Sequence, residues 1–286
     1  GVIVPFAPSL RRATVVAAAA AAIALTLSAC STPSTDSGSG DGSGLPTVTE
    51  GKLTIATGEP NYEPWFVDDD PSNGEGFEGA VANAVAEQLG YTADDIVWVR
   101  TTFDGAIAPG PKDWDINLQQ FSITDDRKKA VDFSSPYYTT TQAVVAVGGS
   151  PAASATTIDE LKATKVGVAS GTTSYTVAKA QLGEADLNVF NSVDDVVLAL
   201  KGGQIDAMIT DLPGAFYVVG AQLDDGVVTG QFADANGGDD FGIVLPKGSA
   251  LTADVTKAVD ALRDNGTLDE LQQKWLSDAV DVPVLK

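Results

Sequence analysis

From residue 52 onward, apolar residues follow two periods in turn, short runs of strand length and longer stretches at helical spacing. Residues 52–57 read as a strand entering the turn Gly58-Glu59-Pro60. Phe77, Val81, Val85 and Leu89 recur every four residues on one helical face, and Gly90 stops that helix. Residues 96–99 form the next strand and 103–107 a short helix. Ile116 and Leu118 mark a buried strand, followed by a polar turn and a short helix opened by Thr124 and carrying Arg127. A second unit begins with Thr157 and Glu160, which form a capping box, and a strand at 165–169. Ser170-Gly171-Thr172-Thr173 starts another helix. Ser192 with Asp195 caps a third, which Gly202-Gly203 ends before a strand at 205–209. Leu251, Val255, Val259 and Leu262 line a further helix, stopped at Asn265-Gly266. Thr267 and Glu270 are then expected to cap a closing helix that carries Leu271 and Trp275. Such alternation predicts an α/β chain whose mainly parallel sheets are flanked by helices.

The amino-terminal pattern is different. Arg11 and Arg12 precede an uncharged apolar run, residues 13–29, that is short for a membrane span and fits a signal peptide. It ends in Leu27-Ser28-Ala29-Cys30, a lipobox-like sequence, and Cys30 is the only cysteine of the chain. The expectation is a lipoprotein signal peptide at 1–29, lipidation of Cys30 and a Ser/Gly/Thr/Pro-rich tether at 30–50. The chain starts with Gly1 rather than methionine, so the true start is expected to lie elsewhere.

Charge and composition narrow the chemistry. A formal charge of −22 argues against a nucleic-acid partner, since little here would neutralise phosphates. The chain has no histidine, which removes Ser-His-Asp and Cys-His catalysis and the commonest zinc ligand. Asp68-Asp69-Asp70 lacks the alternating spacing of a calcium loop and reads as a solvated turn. No metal or cofactor is expected.

The most specific stretch is Asp115-Ile-Asn-Leu-Gln-Gln-Phe-Ser-Ile-Thr-Asp-Asp-Arg-Lys-Lys-Ala-Val-Asp-Phe-Ser-Ser-Pro-Tyr-Tyr138. An arginine just inside such a turn presents a bidentate fork to a carboxylate, beside backbone N–H groups that also favour anions. The run resembles the ligand-carboxylate motif of family 3 extracytoplasmic solute-binding proteins, the amino-acid receptors of ABC importers, and the resemblance extends over nearly all of 51–286. It implies a two-lobed periplasmic-binding-protein-like (type II) fold. Lobe 1 would comprise 51–141 plus 246–286 and lobe 2 residues 148–240, joined by hinge strands at about 142–147 and 241–245.

The same resemblance implies roles for single residues. Arg127 would bind the ligand α-carboxylate, Ser122 would face the α-amino end, and the backbone of Gln120 would accept from the ammonium. Tyr62 would stack on the ligand side chain and Phe103 would form a second apolar wall. Thr172 and Thr173 would meet the carboxylate from lobe 2, and Asp211 would pair with the ammonium. Glu59 stands where an acid reaches the side chain of basic or amide ligands, and if buried and unpaired it would repel acidic ones. The chain departs from the family at Gln119 and Gln120, where small residues are usual; Ala169 and Thr210 add no charge to the pocket. The implied function is capture of a free amino acid, polar or basic, outside the membrane and delivery to an ABC permease. The receptor would be a lipid-anchored monomer without catalytic activity. A sensory ectodomain and a cyclohexadienyl-type dehydratase on the same fold are the alternatives, the latter with Glu59 as proton-transfer group.

Overall fold

The computed structural model describes residues 44–183, 187–233, 238–276 and 282–286. The expected signal peptide, Cys30 and most of the tether lie outside the described residues. Among the described residues, no helix is long and apolar enough to cross a membrane.

The chain runs through β1 (Leu53–Thr57), α1 (Phe77–Gln88), β2 (Ile96–Arg100), α2 (Phe103–Ile107), β3 (Ile116–Asn117) and β4 (Val131–Thr140). It continues through β5 (Gln142–Val147), α3 (Ile158–Lys162), β6 (Val166–Ala169), α4 (Thr173–Leu182), β7 (Leu187–Phe190), α5 (Val193–Lys201), β8 (Ala207–Asp211), α6 (Leu212–Tyr217) and β9 (Gly226–Gln231). It returns through β10 (Asp239–Pro246), α7 (Thr252–Asp264) and α8 (Thr267–Leu276). These build two five-stranded sheets, in the orders β2-β1-β3-β10-β4 and β7-β6-β8-β5-β9.

In each sheet the strands linked by helices pair in parallel, as β1 does with β2 and β3 and β6 with β7 and β8. The antiparallel pairs come from the strands next to the crossings: β10 runs against β3 and β4, and β5 against β8 and β9. A chain that leaves one sheet and later returns supplies strands of opposite direction, so the sheets are mixed where mainly parallel ones were expected. The runs expected as hinges are both strands, each integrated into one sheet. The crossings themselves fall at Thr141 and between Gln231 and Asp239.

Each sheet buries both faces. Successive side chains of a strand point to opposite faces, so Leu53 and Ile55 of β1 pack with Phe77, Val81, Val255 and Val259, while Ala56 joins Trp114 and Phe121 on the other side. Likewise Ala143 and Val145 of β5 face one core of the second sheet and Val144 and Ala146 the other. The helical stripe of α1 is buried as its spacing predicts. Thr157 and Glu160 form a full capping box. At α8 the expected cap is displaced: the Thr267 N–H is taken by Asn265 Oδ1 at 3.0 Å, and Thr267 already lies inside the helix.

The tail differs from expectation too. Residues 282–286 lie against the second sheet, not the first. The Gln231 N–H donates to the Pro283 carbonyl and the Leu285 N–H to the Gln231 carbonyl, both at 2.9 Å, and buried Leu285 joins the second-sheet core. An apolar side chain with an edge strand to extend finds both at β9.

Candidate ligand-binding site

Local chemistry at the strand ends sets the walls of the site. Past β1, the turn 58–70 is tied to β2 by Arg100, which donates to the Gly58 carbonyl at 2.6 Å and pairs with Asp69 at 2.8 Å. Asp69 also accepts from the Asn61 N–H, and Asp70 caps a short turn through Ser72. Two of the three consecutive aspartates, Asp69 and Asp70, therefore organise a loop. Past β6, Thr172 caps α4, accepting from the Tyr175 N–H at 3.1 Å and donating to the Ala169 carbonyl at 2.8 Å.

Between the two sheets lies a cavity of about 540 Å³. Glu59, Tyr62, Phe103, Gln120, Ser122, Arg127, Thr172, Thr173 and Asp211 all line it, as do Gln119, Ala169 and Thr210. Arg127 is buried. Its guanidinium donates to the Ser122 carbonyl at 2.8 Å and, across the cleft, to the Gly171 carbonyl at 3.0 Å. It rests 5.2 Å from the centre of the Phe103 ring, which stacks on Phe121 at 4.8 Å, so Phe103 is a platform for the cation as well as a wall. Burial pulls the guanidinium pKa below its ordinary value, while Asp211, Asp239 and Asp104 pull the other way. The group stays charged in either case.

Asp211 ends β8 opposite Arg127 and leaves its helix-capping capacity unused. It accepts from Gln142 Nε2 at 2.6 Å, and the same nitrogen donates to Asp239 at 2.8 Å. Asp211 keeps some exposure to the cavity, yet protein surrounds it. This desolvation, with repulsion from Asp239, pushes its carboxyl up to about 7, against the pull of Gln142 and Arg127. Other contacts cross the cleft. Ser122 and Thr173 join their hydroxyls at 3.1 Å, Tyr62 donates to Asp194, and its ring lies 6.0 Å from that of Tyr217. Burial and the Asp194 carboxylate hold the Tyr62 phenol well above its ordinary range.

The geometry adds detail at two of these residues. Glu59 is exposed at the mouth of the cavity rather than buried, so its repulsion of acidic ligands is screened. The Thr172 hydroxyl is used in capping, which leaves Thr173 as the hydroxyl free of that duty. Residues that the sequence reading missed are Gln142, Asp239, Asp194, Tyr217 and the buried Glu78. Glu78 carries a legible signal, an acid inside the apolar first turn of α1. Gln142 and Asp239 are visible only as polar residues opening apolar strands.

The cleft between the two mixed sheets is thus polar, with a buried arginine on one side and an aspartate on the other. The chain is similar to a solved ancestral arginine-binding protein bound to glutamine, with a TM-score of 0.66 and 30% identity over 79% of this chain and 98% of that one. Residues 53–278 match the family model for bacterial extracellular solute-binding proteins, family 3, and the chain belongs to that family. Among curated relatives, it is 32% identical to the L-arginine-binding protein of Pseudomonas aeruginosa, over 82% of this chain and 91% of that protein. It is 31% identical to the L-cystine-binding protein TcyJ of Escherichia coli, over 81% and 86%.

Proposed function

We propose that the protein captures an amino acid in the cavity between its sheets and hands it to an ABC permease in the membrane. The observation that carries this reading is the pairing of a buried cation, Arg127, with a half-buried acid, Asp211, on opposite walls of one cavity. An amino acid holds a carboxylate and an ammonium on one carbon, so it needs both charges and bridges the two lobes. Ligand that touches both lobes stabilises the closed arrangement through contacts that the open one lacks. Lobe 1 is then 51–140 with 239–276, lobe 2 is 142–231 with the tail 282–286, and the two lobes are joined through Thr141 and through the connection between β9 and β10.

The rest of the cavity favours a polar or cationic ligand side chain. Among the described residues lining it, Arg127 is the only cation, against the five carboxylates Glu59, Glu63, Asp104, Asp194 and Asp211. Arginine- and cystine-binding relatives agree with a long polar side chain. A dehydratase would need Glu59 held against its substrate, and an exposed residue at the mouth is not so held. The protein binds without turnover, as a monomer with one ligand per chain.

Residues 31–286, stripped of ligand by unfolding and refolding, are expected to gain melting temperature with one or a few polar or basic amino acids. Thermal shifts against all twenty amino acids, with prephenate and simple sugars as controls, test this. No shift from folded protein with any amino acid would overturn it.

The anchor follows from Leu27-Ser28-Ala29-Cys30. Cys30→Ser in the full-length protein is expected to release it from membranes in a fractionation assay. Continued attachment would point instead to an uncleaved apolar segment.

A further inference from the structure

Glu78 is a fully buried carboxylate held by hydrogen bonds alone among the described residues. It lies in the first turn of α1, where the helix dipole favours an anion. One oxygen accepts from the Gln120 N–H at 2.8 Å and from the Tyr137 hydroxyl, and the other accepts from the Gln120 side-chain amide. Gln120 is thus gripped at main chain and side chain by one group. Its φ is +51°, the left-handed region that residues with a Cβ avoid. The chain is tied on either side of it: the Leu118 N–H donates to the Ala56 carbonyl at 3.1 Å and the Phe121 carbonyl accepts from the Gly242 N–H at 3.0 Å. Gln120 lines the cavity, and the described hydrogen bonds that Gln120 itself makes, from main chain and side chain, both go to Glu78.

We propose that Glu78 is a positioning residue for the ammonium end of the ligand, locking Gln120 in its left-handed conformation so that the Gln120 main chain forms part of the ammonium site. The inference rests on the reading of the cavity as an amino-acid site. Glu78 never touches ligand in this scheme; it acts through Gln120. Burial pushes its carboxyl up to about 7, against the hydrogen bonds from Tyr137 and Gln120. The titratable groups around it are Tyr137 from β4 and Asp211 from β8, with Asp239 and Arg127 beyond Asp211. A protonated Glu78 turns one acceptor oxygen into a donor and can no longer serve all three partners. The clamp therefore loosens as pH falls below about 7.

The experiment is calorimetric titration of wild type, Glu78→Gln and Glu78→Gln/Gln120→Gly with the amino acid that wild type binds best. Glu78→Gln keeps the shape but sets an amide N–H₂ against donors. It should bind about tenfold more weakly or worse, the equivalent of one charge-assisted hydrogen bond. Glycine adopts the left-handed conformation without a clamp, so the double variant should recover affinity. A purely structural glutamate would not give that recovery. Should Glu78→Gln fail to fold, Glu78→Asp, with its shorter reach, takes its place with the same expectations. Unchanged affinity in the single variant, or no recovery in the double, would overturn the proposal while leaving the site reading intact. Wild type that binds no amino acid would overturn the site reading and this inference together.

Discussion

Arg127→Ala is expected to weaken amino-acid binding by about 2–5 kcal/mol, on the order of 30- to several-thousand-fold. The reason is the asymmetry of buried charge. The ligand carboxylate would still enter a cavity walled by acids, now without the only cation among its described lining residues. Arg127 also spans the cleft, bonding the Ser122 carbonyl on its own side and the Gly171 carbonyl on the other, so its loss removes a contact that favours closure. Arg127→Lys keeps the charge but not the planar fork and should fall between wild type and alanine. Calorimetry decides, with circular dichroism as the folding control. Wild-type affinity in the alanine variant would remove Arg127 from the site.

Asp211→Asn should cost a comparable amount, and it also carries a pH signature. In the ligand-free protein Asp211 is pushed up from 3.8 to about 7, with desolvation the largest cause and Asp239 next. An ammonium needs the ionised form, so binding must release the proton. Affinity is then expected to rise from mildly acidic pH through about 7 and to level above it. The binding heat should vary with the ionisation enthalpy of the buffer. In Asp211→Asn this dependence should shrink, leaving a part of the same sign from Glu78, which is also pushed up to about 7.

Stability runs the opposite way. Between 3.8 and about 7 the folded state holds more protons at Asp211 than the unfolded state does. The stabilisation linked to that proton is complete below the lower value and lost as pH rises through the upper one. The ligand-free protein should therefore lose stability over the same range in which it gains affinity. Affinity independent of pH in wild type would show that Asp211 does not face the ammonium.

Much of the fold was legible because its signals are local. Phe77, Val81, Val85 and Leu89 bury one face of α1 wherever that helix is docked, and the Thr157/Glu160 box involves only neighbouring atoms. Nine residues chosen from motifs converge on one cavity because each stands at or near a strand end, where the chain turns into a loop or helix. What escaped was set by distant pairing. Gln142 meets Asp211 because β5 and β8 pair in a register that brings those two residues opposite each other. Asp239 joins them only once β10 has returned to the first sheet. Glu78 reaches Gln120 across 42 positions of sequence, after α1 has packed on the sheet that holds β3. The tail misled for a similar reason: Leu285 is one apolar residue among few, and the site that buries it exists only in the folded second sheet. Glu59 sits in a motif that specifies a turn, and its exposure depends on how that turn is tied down by Arg100.

The central claim is that both charges of a zwitterion are read at once, one from each lobe. The most direct measurement is a calorimetric titration of ligand-stripped residues 31–286 with three molecules: L-arginine, its decarboxylated analogue agmatine, and its deaminated analogue 5-guanidinopentanoic acid. Measurable binding of arginine and a large loss with each analogue are expected, because each leaves Arg127 or Asp211 facing an empty partner position. Equal affinity for arginine and either analogue would contradict the claim.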